Sequence, residues 1–452
     1  MTAETAERSL YDSVRGIAVK ILNRVERTDS YLDKLLENEL RSDDLNDLDK
    51  GLLNELVHGV LRWQLKLDWV ITGFFHGNYP KSNVNVRNAL RVALYQILFL
   101  ERIPSSAAVN EAVEMVKRIR GQKSADLVNA VLRNIDRNVA AIRYPVADEN
   151  PIHYLSVVYS HPQWIVRRWI ERYGIEETEK ILAANNERPP ITVRVNQIRS
   201  TVEEITTLFD AAHINYVRSL YIPTFLRVSG LGNVGNYSAF QEGKFTVQDE
   251  SAGLVCQLVS PQPGERIIDF CAAPGGKSTY LAELMQNKGE VIAIDKYDIK
   301  LRMIRSAAER LGITIISTME ADATTYDGSV ADKVLLDAPC SGLGVLTKKP
   351  DIKWKREPED ITALVEIQKR LLHNAAHLVR PGGVLVYSTC TTEPEENIEL
   401  IHRFRDAHPE FIVDDARKYV HVDAVNAEGC IETLPSVHGI DGSFAVRLIR
   451  DH

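Results

Sequence analysis

Two periods of apolar residues divide the chain. Over residues 8–140, hydrophobic positions recur every three to four residues: Leu10, Val14, Ile17, Ala18, Ile21 and Leu22; Leu52, Leu53, Leu56, Val57 and Val60; Leu90, Ala93, Leu94, Ile97 and Leu98; Val109, Val113 and Val116; Leu127, Val128, Val131, Leu132 and Ile135. Such stripes predict a series of amphipathic helices, each burying one face. Pro104 followed by Ser105 and Ser106 marks a stop and a restart. Residues 138–160 lose the period and contain Pro145 and Pro151, so they predict a linker. A helix opens at His161-Pro162-Gln163-Trp164 and carries Ile165 and Trp169. His161 there reads as a helix-start residue and not as a ligand. Pro189-Pro190 leads into the alternating run 191–195. A helix near 201–211 and strand-like runs at 214–217 and 225–228 complete a small α+β module.

From residue 245 the period changes. Short β-branched runs at 266–270, 290–295, 315–319, 333–337 and 383–387 alternate with helical stretches. That alternation predicts a doubly wound parallel sheet. Late runs at 411–414 and 444–449 are expected to close its edge, one of them antiparallel. The expected division is 1–143 for the helical domain, 144–240 for the linker helices and α+β module, and 241–452 for the α/β domain. A chain of 452 residues is too long for one core.

Composition changes this picture little. With 44% hydrophobic and 26% charged residues the chain is of soluble globular type. No apolar run reaches the roughly 18 residues that a membrane span needs. The polar start MTAETAERSLYDSV lacks a signal-peptide apolar stretch, so a cytoplasmic protein is expected. The five cysteines are scattered, with no Cys-x-x-Cys pair, so neither a metal site nor a disulfide framework is indicated. A net charge of −8 argues against a protein that coats nucleic acid indiscriminately. Residues 61–140 nevertheless carry twelve Lys/Arg against six Asp/Glu.

Candidate chemistry centres on DFCAAPGGKST, residues 269–279. A small-residue loop between a strand and a helix lets backbone approach a ligand. Gly276-Lys277-Ser278 matches the end of a phosphate-binding loop, but Cys271 stands where its first glycine belongs. The dinucleotide fingerprint Gly-x-Gly-x-x-Gly is absent. S-adenosylmethionine is the third ligand class such a loop serves, with Asp295 at the end of the next strand as the acid for its ribose; a small-residue turn without a ligand is the competing reading. Ligands of open α/β sheets bind beyond the carboxyl ends of the strands. Sorted by that rule, Cys271 to Lys277, Asp295, Asp322, Asp337 with Cys340, and Cys390 all fall on one rim. Cys256 and Cys430 read as packed or incidental.

The motifs DFCAAPGGK, DAPCSG (337–342) and STCTTEPEEN (388–397) resemble those of the RNA cytosine-5 methyltransferases with two active-site cysteines. The helical block resembles the NusB-like RNA-binding domain through Leu56–Arg62, Leu90–Pro104, Ala108–Val113 and Val128–Asn134. Together they resemble, end to end, the bacterial 16S ribosomal RNA cytosine-5 methyltransferases of the Sun/Fmu (RsmB) type. The resemblance implies an all-α NusB-like domain, a small α+β module and a Rossmann-like S-adenosylmethionine-dependent catalytic domain. It implies Cys390 as nucleophile, Cys340 in product release, and Asp337 hydrogen-bonded, as the protonated acid, to cytosine nitrogen 3. The loop Cys271, Ala272, Ala273, Pro274, Gly275, Gly276 and Lys277, with Asp295, Asp322 and Asp337, would hold the cofactor, Asp295 at the ribose and Asp322 at the adenine amino group. It implies 16S ribosomal RNA as partner, no metal and no membrane, and a monomer is expected. Basic helices around Lys117, Arg118, Arg120, Lys123 and Arg133 would face RNA. Lys348, Lys349, Lys353, Lys355 and Arg356 are expected to meet its phosphates.

The chemistry calls for such residues. Carbon 5 of cytosine is a weak nucleophile. A thiolate added at carbon 6 makes it enamine-like, and a free thiol needs a lowered pKa or a base to become that thiolate. Four other readings compete: a nucleotide hydrolase, a non-catalytic RNA-binding factor, a DNA cytosine methyltransferase, and a cytosine-5 methyltransferase acting on another RNA such as tRNA.

Overall fold

A computed structural model describes residues 11–28, 30–41 and 45–451. Ser9 and Leu10, expected in the first helix, lie outside these residues. The described chain divides into two units: residues 1–187 with Leu346–Lys355, and residues 188–345 with 356–452.

The first unit is helical. Helices span Val14–Arg27, Leu32–Leu40, Asp47–Phe74, Val84–Phe99, Ser105–Arg120 and Gln122–Arg137, followed by Pro151–Val158, Gln163–Tyr173 and Ile175–Asn185. Side-chain oxygens cap several starts: Ser13 accepts from Gly16 N–H and Asn46 from Asp49 N–H. The apolar stripes meet in one core containing Leu53, Leu56, Val60, Leu90, Leu94, Val116, Val128 and Ile135. Gly59 permits the closest approach in it, since a Cβ there would fall 2.0 Å from the Tyr95 ring. The expected linker is helical at 151–158, and His161 is fully buried with Nδ1 2.6 Å from the Tyr159 carbonyl.

The second unit opens with a four-stranded antiparallel sheet in the order β2-β3-β1-β4, formed by β1 (Ile191–Val195), β2 (Asn215–Arg218), β3 (Phe225–Ser229) and β4 (Phe245–Val247). Helix Val202–Ala211 starts at a capping box of Thr201 and Glu204. Its Ile205 and Phe209 pack on Val193, Leu226 and Phe245. The small sheet thus uses residues beyond 240, because Phe245–Val247 pairs with β1.

The larger sheet holds β5 (Arg266–Phe270), β6 (Glu290–Asp295), β7 (Ile316–Glu320), β8 (Ala331–Asp337), β9 (Val379–Thr389), β10 (Phe411–Val413), β11 (Ile431–Thr433) and β12 (Ser443–Arg450). Its order is β10-β12-β9-β8-β5-β6-β7, with β11 on β12. Strands β5 to β9 are mutually parallel; β12 runs antiparallel to β9, while β10 and β11, each antiparallel to β12, run with the parallel set, so one of the two late strands expected at the edge is antiparallel to the sheet. Alternate residues enter opposite layers. Ile267, Val291, Leu335 and Val386 pack with Leu254, Leu258 and Leu281. Ile268, Ile292, Leu336 and Leu385 pack with Val365, Leu372 and Leu400. Helices therefore cover both faces, as a parallel sheet requires.

Candidate active site

The strand order reverses between β5 and β8, so the crevice of this sheet opens beyond their carboxyl ends. The loop after β5 turns at Cys271 and Gly275, both at positive φ (58° and 102°). At Gly275 a Cβ would also press on Ile304 at 3.0 Å, so glycine suits both the turn and the packing. The Ala273–Pro274 bond is cis. Helix Gly276–Leu284 begins where the loop ends, and its first N–H groups face the rim.

From that helix start Lys277 reaches across the crevice. Its Nζ lies 2.8 Å from Asp337 Oδ2 at the end of β8, while Asp337 Oδ1 accepts from Ser388 Oγ at 2.9 Å. Burial works against the Lys277 ammonium, but the Asp337 carboxylate outweighs it and the net shift is upward. Both Asp337 oxygens thus accept hydrogen bonds, one from each side of the crevice.

Parallel pairing of β8 with β9 sets Asp337 opposite Ser388 and continues through Ala338 N–H to the Ser388 carbonyl. The next turns bring Cys340 and Cys390 together, Sγ to Sγ 3.1 Å, with Cys390 N–H 3.3 Å from Cys340 Sγ. The Cys390 hydrogen bond, then burial and the Cys390 and Glu396 charges, hold the Cys340 thiol well above its ordinary pKa.

Asp295 ends β6 with 7% of its surface exposed, and its Oδ1 accepts from Tyr297 N–H at 3.2 Å. Beyond β7, Asp322 accepts from Thr324 N–H and Oγ1, at 2.9 and 2.7 Å. The Thr324 hydroxyl and N–H, then Lys296, lower its pKa to about 2, so it is a charged acceptor. Burial pushes the Cys271 thiol up to about 12 and makes it a poor nucleophile. Cys256 and Cys430 are buried.

Two rim acids escaped the sequence reading. Asp269, fully buried within β5, accepts from Ser278 Oγ at 2.6 Å, and burial raises its pKa to about 7. Glu396 is fully buried next to both cysteine loops. The signal available for Asp269 was an acid inside the apolar run 267–270. Glu396 lies inside the motif 388–397, but nothing in the acidic run of 393–396 singles it out from its neighbours.

The basic segment after Cys340 does not behave as a free loop. Lys353 is buried at 1% exposure and donates to the Arg62 carbonyl at 2.9 Å. Lys355 donates to the Ser30 carbonyl, and Lys349 lies 3.4 Å from Asp33. Arg356 donates to the Ser341 carbonyl at 3.0 Å. The segment is read as a phosphate-binding run because sequence cannot distinguish a solvated cation from one that satisfies buried carbonyls. On the helical unit, Lys117, Arg118, Arg120 and Lys123 are exposed around the Gly121 turn, while Arg133 lies half-buried 3.3 Å from Asn110. Among the described residues, no His/Cys/Asp/Glu group could hold a metal, and no helix is long and apolar enough to cross a membrane.

A doubly wound sheet with this rim, following a helical and a ferredoxin-like module, has the build of an RNA-modifying methyltransferase. Residues 256–449 match the 16S rRNA methyltransferase RsmB/F family, residues 12–137 the NusB family, and residues 161–235 the ferredoxin-like domain of RsmF/B-like methyltransferases. The probable ribosomal RNA small subunit methyltransferase B of Bacillus subtilis is 40% identical, over 96% of this chain and 97% of its own length. Ribosomal RNA small subunit methyltransferase B of Klebsiella pneumoniae subsp. pneumoniae is 33% identical, over 97% and 98%. The crystal structure of PH0851 matches with a TM-score of 0.80 at 29% identity, over 96% of this chain and 98% of that one. The chain belongs to the RsmB/F family of RNA methyltransferases.

Proposed function

We propose that this enzyme transfers a methyl group from S-adenosylmethionine to carbon 5 of a cytosine in 16S ribosomal RNA, through a covalent Cys390–cytosine adduct. The observation that carries this reading is the contact of two thiols, 3.1 Å apart, at the ends of adjacent parallel strands. The ribosomal substrate is inferred from the names of the curated relatives.

The donor set suits the cofactor. A buried strand-end carboxylate at Asp295 accepts from vicinal hydroxyls, and the ionised Asp322 accepts from an amino group. Gly275 and Gly276 leave the loop without side-chain bulk. When bound, S-adenosylmethionine supplies an electrophilic methyl group. Cys390 gives its proton to solvent and adds as thiolate to carbon 6, and the electron pair of the 5,6 double bond is directed to carbon 5, where it would meet the methyl group, the neutral thioether being the leaving group. Lys277 and Asp337 fix the polar side of the crevice, where Asp337 meets the cytosine edge.

Cys340 then assists release. Its hydrogen bond to Cys390 is the largest cause holding it protonated. Adduct formation ties up the Cys390 sulfur, so that cause weakens at the step where a base is required. Cys340 gives its proton to solvent, accepts the carbon 5 proton, and Cys390 departs as thiolate while the 5,6 double bond re-forms.

Bisulfite mapping of 16S rRNA from cells with and without the gene tests the assignment. One cytosine should lose its 5-methyl mark, and the intact protein should restore it. Unchanged 16S rRNA with a lost mark in tRNA would transfer the activity to the other substrate.

A further inference from the structure

Glu396 takes no part in the reaction outlined above, yet its carboxylate accepts three hydrogen bonds beside the two thiols. It is fully buried in a short 3-10 turn six residues after Cys390. Oε1 accepts from Ser341 N–H at 2.8 Å and from Gln368 Nε2 at 2.9 Å. Oε2 accepts from Ser341 Oγ at 2.6 Å. Ser341 follows Cys340, and its Oγ lies 2.7 Å from Thr391 Oγ1, the residue after Cys390. Gln368 also donates to the Pro339 carbonyl at 2.9 Å, on the other side of Cys340. The turn is braced from below, with Tyr387 OH donating to the Glu396 carbonyl at 2.6 Å and Asn397 donating to the Thr391 carbonyl at 2.9 Å.

Burying a carboxylate is costly unless hydrogen bonds satisfy it. Here three donors do so: two belong to Ser341, next to Cys340, and the third is Gln368 on helix Pro358–His377, which also holds the Pro339 carbonyl, while Glu396 itself belongs to the segment after Cys390. Any sliding of the Cys340 loop against the Cys390 loop would strand a buried charge, so the network penalises the motion that would separate the sulfurs. We propose that Glu396 is a positioning residue for methyl transfer, the carboxylate that holds the Cys340 and Cys390 loops in register. This rests on the two-cysteine reading of the site.

The charge has an electrical consequence. Glu396 is among the causes that keep Cys340 protonated, behind Cys390 and burial. Other charged groups facing this network include Glu393, which acts on Glu396, the Arg356 guanidinium at the Cys340 and Ser341 carbonyls, and Lys277, which is paired with Asp337 and interacts with Cys390. Replacing Glu396 by glutamine removes one anion and turns an NH₂ group towards donors.

Glu396→Gln tests the proposal in the full-length enzyme. Methyl transfer should fall roughly ten- to hundred-fold in kcat, the range for stranding one buried polar group, with KM for S-adenosylmethionine unchanged. The pH midpoint for resolving the covalent adduct should move down. Independently of catalysis, diamide takes two electrons and two protons from a thiol pair, so its rate of Cys340–Cys390 disulfide formation reports sulfur proximity. That rate should drop in Glu396→Gln. Wild-type kcat, wild-type pH midpoint and wild-type diamide rate would together overturn the proposal. Should the variant lose S-adenosylmethionine binding, and so be misfolded, Ser341→Ala carries the same measurements with the carboxylate left in place. There the pH midpoint is not expected to fall, since the anion remains, and a wild-type kcat with a wild-type diamide rate would overturn the proposal. Failure of the underlying reading looks different: Cys390→Ala would then remain active, while the diamide rate would still report on Glu396.

Discussion

Two sulfurs at 3.1 Å make the sharpest claim at the scale of single residues. If Cys390 attacks carbon 6, Cys390→Ala has no nucleophile and should form no adduct. Cys340→Ala can still attack and methylate but cannot readily eliminate. It should accumulate a denaturant-resistant protein–RNA complex that requires S-adenosylmethionine, visible as a shifted band on a denaturing gel. The opposite pattern would exchange their roles. Asp269 yields a pH prediction. Its pKa is raised from 3.8 to about 7 by burial. Below roughly pH 4 it is protonated in both folded and unfolded chains and has no linkage effect. Between about 4 and 7 the unfolded chain has released the proton and the folded one has not, so stability from this group falls as pH rises, levelling above 7. Asp269→Asn removes that slope. The melting temperature of the variant minus that of the wild type should increase from pH 5 to pH 8, and a constant difference would refute the raised pKa.

At the scale of elements, ten residues leave the catalytic unit after Val345 and rejoin it at Arg356, packed meanwhile with the helical unit. Asp351 accepts from Leu32 N–H, Arg62 donates to the Thr347 carbonyl, and Trp354 Nε1 donates to the Leu61 carbonyl. Helix Ile352–Lys355 is thus bonded to the bundle through backbone carbonyls. Lys353→Glu should therefore act on stability, with a cost of roughly 3 kcal/mol or more from an uncompensated buried charge. Thermal unfolding should show it, while the salt slope of RNA binding in the folded fraction stays at the wild-type value. A flattened slope with an unchanged melting temperature would restore the segment to the RNA interface.

At the scale of the whole molecule, a protein of net charge −8 that binds RNA must do so through a local basic face. The turn between helices Ser105–Arg120 and Gln122–Arg137 presents Lys117, Arg120 and Lys123, all exposed. Neutralising the three should reduce the slope of log affinity against log salt by about 0.7–0.9 for each phosphate they had neutralised, measured by filter binding over a salt series. An unchanged slope would take this turn out of the interface.

Local order was decided within the sequence. Helical stripes such as Leu53–Leu56–Val60 and strand runs such as 266–270 and 290–295 depend on neighbours a few residues away, and the rim rule placed Cys340, Cys390, Asp295 and Asp322 together from strand ends alone. Asp337 was located in the same way, but its pairing with Lys277 was not. What tertiary structure decided is what depends on distant partners. Whether Lys353 meets solvent or the Arg62 carbonyl, whether Asp269 is buried, and which acid in 393–396 turns inward to Ser341 are questions of packing between segments far apart in the chain. A charged side chain has the same letter whether water or a buried carbonyl satisfies it, and only the folded chain supplies the partner.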